Sequence, residues 1–213
     1  MINHHFSPSN ISMNGKECFE NFNETFYPDE IDPEKYGIPI SPRQNIINIK
    51  KKCEQFIHNI DDADCKNLFF SGRTGVGKTF LSLCIARELL NQGRTVLYLT
   101  APVLFDIIAE YKMMAYKEEN YNDDKYRSIF TVELLIIDDL GTETLSDARY
   151  AELLNILNTR QANDSVAACK TIISTNLGPK KLFDLYTERV ASRIIGHFDR
   201  LVLAGIDIRS IKT

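Results

Sequence analysis

From Asn67 onward, short apolar runs alternate with longer stretches whose apolar residues recur every three or four positions. Leu68–Ser71, Thr95–Thr100, Leu134–Asp138, Thr171–Thr175 and Leu201–Ala204 read as strands. Lys78–Gln92, Pro102–Tyr116, Asp147–Gln161 and a segment opening at Pro179 read as helices. Strands alternating with helices predict an α/β fold, a parallel sheet with helices on both faces. The run LLII at Leu134–Ile137 is apolar at every position, as a strand covered on both sides must be. Gly93 fits a helix end ahead of the next strand. Upstream, Ser41-Pro42 reads as a helix start, serine capping and proline in the first turn. Ile46, Ile47, Ile49, Cys53, Phe56 and Ile57 follow at roughly helical spacing across Arg43–Asn59. Residues 1–40 hold no sustained period; we read them as an extended arm, with Phe22, Phe26 and Tyr27 free to dock on a single domain spanning 41–213. A charged, Tyr- and Asn-rich segment follows Pro102–Tyr116 at Lys117–Tyr126.

Composition changes this picture little. A chain of 213 residues with 44% apolar and 25% charged residues suits one well-buried core. A net charge of −4 argues against a broadly basic nucleic-acid coat and leaves room for a local basic groove. No apolar run is long enough to span a bilayer, and Met1–Asn10 lacks the pattern of a signal peptide. The five cysteines form no CxxC pair, which suits reduced thiols and a cytoplasmic setting.

The segment Gly72-Arg73-Thr74-Gly75-Val76-Gly77-Lys78-Thr79 fits G-x-x-x-x-G-K-[ST] at every required position. A backbone wrapping a polyphosphate must turn several N–H groups inward, which needs torsions that glycine tolerates best. The following helix aims its positive end at the same anion. The loop lies between a predicted strand and a predicted helix, the context the motif demands. These eight residues, with Phe80 directly after, are therefore the expected ATP contacts: Lys78 reaching the β- and γ-phosphates, Thr79 ligating Mg2+.

The second half of such a site is a carboxylate ending a buried strand, and LLIIDDLG supplies two. Asp138 is expected to hold the magnesium ion and Asp139 to polarise the attacking water. Glu143 is a weaker candidate for positioning that water. Asn176, at the tip of the strand TIIST, is expected to sense the γ-phosphate or its attacking water. Arg189 and Arg193, four apart and so on one helix face, are candidates to neutralise phosphoryl charge, with Arg193 preferred and acting on a neighbouring subunit's site.

Together GRTGVGKT, LLIIDDLGTE, TIISTNL, ERVASRIIG and the closing GIDIRSIK resemble the bacterial replicative-helicase loaders, AAA+ ATPases of the DnaC/DnaI type, and the related IstB-type ATPases of transposition. The resemblance runs from about Asn45 to the C-terminus. It implies a P-loop NTPase of the ASCE/AAA+ class with sheet order 5-1-4-3-2, ATP-dependent self-association, a helicase or transposase partner and single-stranded DNA binding. It makes Lys78 and Thr79 Walker A, Asp138 and Asp139 Walker B, Asn176 sensor 1 and Arg193 the arginine finger. Arg209 also matches a family position, with no role implied. Two departures stand out. Many AAA+ proteins carry glutamate where Asp139 stands, and only some forty irregular residues precede the ATPase core where such loaders carry a separate helicase-gripping module, so either the sequence begins mid-protein or helicase docking is done otherwise; no C-terminal helical lid is expected.

The resemblance also places DNA beside Pro102–Tyr116 and the residues after it. Phe105, Tyr111, Lys112, Tyr116, Lys117, Lys125, Tyr126 and Arg127 interleave aromatics with cations, as a stacking and backbone-tracking surface requires. Phe105 and Ile108 can equally be core, and Glu118, Glu119, Asp123 and Asp124 offset the lysines. A small-molecule kinase is the competing class for a phosphate loop. It needs an arginine-bearing lid, and no arginine cluster stands in the middle of the chain.

Overall fold

The computed structural model describes residues 16–118, 121–144 and 146–211; residues 1–15 of the arm and Glu119 lie outside them. The arm contributes two 3-10 turns and the short helix α1 (Pro33–Tyr36). Helix α2 (Pro42–His58) starts at Ser41, whose hydroxyl accepts from the Gln44 N–H at 3.2 Å. Then follow β1 (Asn67–Ser71), α3 (Lys78–Asn91), β2 (Val96–Thr100), α4 (Ala101–Lys117), α5 (Asp124–Thr131), β3 (Leu134–Leu140) and α6 (Asp147–Asp164). The described residues end with β4 (Lys170–Thr175), α7 (Pro179–Leu185), α8 (Glu188–His197), β5 (Phe198–Val202) and a 3-10 turn at Ile208–Ile211.

The five strands are all parallel, in the order β2-β3-β4-β1-β5, the expected order read from the other edge. Alternation along the strands sends Leu68, Phe70, Leu134 and Ile136 to a core shared with α2 and α3. Phe69, Leu135 and Ile137 go to a second core shared with α4, α6 and α8. The sheet is thus a central layer that must be apolar on both faces, which is why LLII is unbroken. Phe22 and Tyr27 of the arm are buried in the first core, with Phe26 packed against it.

One expectation is corrected. The last strand is Phe198–Val202, three residues earlier than the apolar run suggested. An edge strand alternates, and FDRLV hides only part of its residues, while Leu203 and Ala204 are buried beyond its end. Helix α5 begins within Lys117–Tyr126, its first turn capped by Asp123 Oδ1, which accepts from Lys125 N at 2.8 Å and Tyr126 N at 3.2 Å.

Candidate functional site

The loop after β1 is shaped by glycines with positive φ. At Gly75 (φ +77°) a Cβ would lie 2.0 Å from the Asp207 carboxylate; at Gly77 (φ +96°) it would lie 2.5 Å from the Tyr27 hydroxyl. Both conformations favour glycine, and the missing side chains also let two outside segments close on the loop. Tyr27 donates its hydroxyl proton to Val76 O at 2.9 Å, and Ile208 N–H donates to Gly75 O at 3.0 Å. Lys78 Nζ donates to Gly72 O (2.8 Å), Arg73 O (2.9 Å) and Asn176 Oδ1 (2.7 Å). Burial holds this ammonium group below its ordinary pKa, against the opposing pull of Asp139 and Asp138.

Opposite the loop, β3 breaks register with β4. Ile137 pairs with Ile173 and Leu140 with Thr175, so Asp138 and Asp139 together face Ser174. In a regular strand adjacent side chains point to opposite faces, and two neighbouring acids could not serve one site. The bulge resolves this. Asp139 takes φ +55°, the only positive value outside glycine among the described residues, and lines the cavity in front of the loop. Asp138 stays buried behind it, accepting hydrogen bonds from the hydroxyls of Tyr98 and Ser174 and, at 2.8 Å, from Thr79 Oγ1. Asp139 N–H donates to Asp138 Oδ1 (3.1 Å) and Ser174 Oγ (3.2 Å), fixing the bend. Aspartate adopts left-handed backbone more readily than longer side chains do, which gives a local reason for Asp rather than Glu here. Burial, and next the Asp138 charge, raise the Asp139 carboxyl above its usual pKa; Lys78 and Asn176 act the other way.

The cavity has a volume of about 350 Å³. Thr74, Gly75, Gly77, Lys78, Thr79, Asp139 and Asn176 form its polar side, while Glu17, Phe80, Leu83 and Ile208 line the remainder with Arg209. Of the expected contacts, Gly72, Arg73 and Val76 stand outside this wall. Val76 turns its side chain into the core, Gly72 gives its carbonyl to Lys78, and Arg73 faces an adjoining crevice with Thr74, Asn176 and Asp207. Arg209 is held by Asp207, donating from Nε at 2.9 Å and Nη2 at 2.6 Å; that pairing draws the Asp207 carboxyl down to about 2.

Glu143 does not meet the weaker expectation for it. It is buried, one oxygen accepting from the Tyr186 hydroxyl and the other from Gly141 N–H at 2.8 Å, so it holds the turn after β3. Arg189 and Arg193 share α8, both exposed, and neither pairs with Asp184 or Glu188 among the described residues. Arg193 borders a crevice with Asn67, Gln161 and His197, at the end of the sheet where β1 begins rather than where the loop leaves it. Phe105 and Ile108 are core, Tyr111 stacks on Tyr126 with centroids 3.7 Å apart, and Lys112 pairs with Glu152. Tyr116, Lys117, Lys125 and Arg127 are exposed. The hydroxyls of Tyr98 and Ser174 have no counterpart among the sequence expectations, nor do Glu17 and Asp207, while Tyr27 is expected to dock on the domain but not to reach the loop. Only Ser174, two residues before Asn176, had a positional hint.

Residues 50–202 match the family described as IstB-like ATP binding protein. The chain is 27% identical over 161 residues to the replicative helicase loader DnaC of Escherichia coli (strain K12), covering 76% of this chain and 61% of that protein. It is 29% identical over 152 residues to the putative insertion sequence ATP-binding protein y4pL of Sinorhizobium fredii, covering 67% and 56%. It therefore spans about three-fifths of the length of these curated relatives. A crystal structure of DnaI superposes with a TM-score of 0.60 at 25% identity, covering 78% of this chain and 85% of that one. No described helix is long and apolar enough to cross a membrane.

Proposed function

We propose, from the premise that this chain belongs to the family of IstB-like ATP binding proteins and has the P-loop AAA+ fold, that it hydrolyses ATP as a helicase loader acting on single-stranded DNA. The observation that carries the reading is a double bridge. Lys78 of the loop meets Asn176 at the tip of β4, and Thr79 meets Asp138 at the tip of β3. Loop and strand tips thereby converge on one cavity, as binding a triphosphate and activating water beside it require.

Roles follow from position. Lys78 and the loop N–H groups neutralise phosphate charge. Thr79 Oγ1 and Asp138 Oδ2, a hydroxyl and a carboxylate oxygen, are the donors a hard divalent cation takes, and would hold magnesium. Magnesium, when bound, withdraws charge from the phosphates. Asp139 accepts a proton from a water whose oxygen bonds to the γ-phosphorus as the bond to the bridging oxygen breaks, leaving ADP and phosphate. Its raised pKa strengthens it as a base. Asn176 orients the water or the γ-phosphate. Arg193 faces away from its own cavity and serves a neighbouring copy's site. Tyr116, Lys117, Lys125 and Arg127 supply the exposed aromatic and cationic groups for DNA.

The family match and the likeness to y4pL favour a second reading, an ATPase that serves a transposase. The kinase class loses ground, because Arg149 is engaged, donating to Thr144 O at 2.7 Å and lying over the Phe105 ring. The test measures ATP turnover with and without single-stranded DNA, and co-purification with the host's replicative helicase or a transposase. DNA-stimulated turnover with capture of the helicase supports the loader; capture of the transposase supports the second reading. Phosphate transfer to a nucleoside acceptor would overturn both.

A further inference from the structure

We propose that Glu17, on the arm, reads the nucleotide base, its carboxylate accepting a hydrogen bond from the 6-amino group of adenine. Glu17 lines the same cavity as Lys78 and Asp139, although 55 residues or more separate it from the loop in sequence. Its Oε2 is buried without a hydrogen-bond partner, one of only two such side-chain atoms among the described residues. A buried oxygen with no donor is costly, and a fold keeps one where a ligand supplies the donor. Phe80, Leu83 and Ile208, in the wall of the same cavity, are apolar surfaces suited to the faces of a planar base rather than to phosphate.

The arm is fixed where this role needs it. Cys18 N–H and Asn21 Nδ2 both donate to Lys16 O, at 3.1 and 3.0 Å, pinning the backbone on either side of Glu17. Phe22 and Tyr27 are buried a few residues on, with Phe22 6.0 Å from Phe80 ring to ring. A lone acceptor favours adenine, which presents an amino donor at position 6, over guanine, which presents an acceptor there. An acidic side chain can also take guanine's N1–H and 2-amino protons, so guanine is an outcome the test must separate. The inference rests on the ATP-binding reading and adds the group that selects the base.

The full chain is titrated with ATP, with purine riboside triphosphate (ATP without the 6-amino group) and with GTP, by displacement of a fluorescent nucleotide, in wild type, Glu17→Ala and Glu17→Gln. Wild type is expected to bind ATP about ten- to a hundredfold tighter than the purine analogue, the range for a hydrogen bond to a charged group. Glu17→Ala should erase that ratio while binding the analogue as wild type does, which also shows that the variant folds. Glu17→Gln, which offers a donor as well as an acceptor, should narrow the ratio of ATP to GTP. Equal binding of ATP and the analogue by wild type, an unchanged ratio in Glu17→Ala, or tighter binding of GTP overturns the proposal and leaves triphosphate binding standing. Failure of wild type to bind any triphosphate removes the ATP reading and this inference with it.

Discussion

The two sides of the cavity are made from different material. The phosphate side is the tips of β1, β3 and β4, three adjacent strands of the sheet interior, whose supporting groups Asp138, Ser174 and Thr175 are all buried. The far side is made outside the sheet, by the arm at Glu17 and Tyr27 and by the tail from Asp207 to Arg209, each joined to the loop by a single described backbone-directed hydrogen bond. The strand-tip side holds its charged groups in fixed relation, as pre-organised chemistry demands. The outer side is anchored in the first core by Phe22 and Tyr27 but meets the loop itself through few hydrogen bonds, so it can be reshaped without displacing the strand tips. Chemistry should therefore fail abruptly when the first side is altered and grip should weaken gradually when the second is.

The largest effect expected is from Lys78→Ala. It removes an ammonium group that joins Gly72, Arg73 and Asn176 and provides the main positive charge on the polar side. Losing charge-assisted bonds to phosphate should weaken ATP binding by more than about a hundredfold, with the fold retained by circular dichroism. Tight binding by that variant would break the comparison outright. Asp139→Asn comes next: binding is kept, and turnover falls by about 10²- to 10⁴-fold, the worth of a positioned base. Mixed with Arg193→Ala, it should regain turnover, since intact halves then meet across subunits. In wild type the base works only when deprotonated, so activity is present above its raised pKa and lost as pH falls through it. The acid limb of kcat/KM should accordingly lie above 3.8, the ordinary value for aspartate. A limb at or below that value would mean another group takes the proton.

The strand-tip side was also the side legible in the sequence. Its elements announce themselves locally: GRTGVGKT needs its glycines, LLII needs burial on both faces, and Asn176 follows a strand. What the pattern could not reveal was how Asp138 and Asp139 share one site, because a bulge is a relation between strands, and nothing in LLIIDDLG states that Ser174 faces both. Tyr98 has the same character, reaching Asp138 from a neighbouring strand 40 positions away. The last strand was misplaced because an edge strand buries only alternate residues. The outer side was less legible: GIDIRSIK entered only through the family resemblance, and Phe22, Phe26 and Tyr27 only as aromatics free to dock. Glu17 sits in a stretch without period, and Asp207 matters only because Gly75 leaves it room.

The smallest effect sharpens the comparison most, and it falls on Tyr27. Its hydroxyl donates to Val76 O at 2.9 Å while its ring stacks near Phe22, centroids 6.1 Å apart. Tyr27→Phe keeps the ring and removes only the proton donor, leaving a loop carbonyl unpartnered, which should cost about 1–2 kcal/mol in denaturant unfolding. ATP affinity should fall a few-fold as the loop loses its brace, and kcat should change less than in Asp139→Asn. Burial raises the Tyr27 phenol above its ordinary value of 10. Its stabilising contribution is thus complete below pH 10 and fades as the pH climbs toward the folded-state value, because the unfolded chain ionises first. The Phe variant should lack that alkaline loss. If Tyr27→Phe instead cut kcat as deeply as Asp139→Asn with affinity unchanged, the arm would belong to the chemical side, and the division between fixed strand tips and yielding outer wall would not hold.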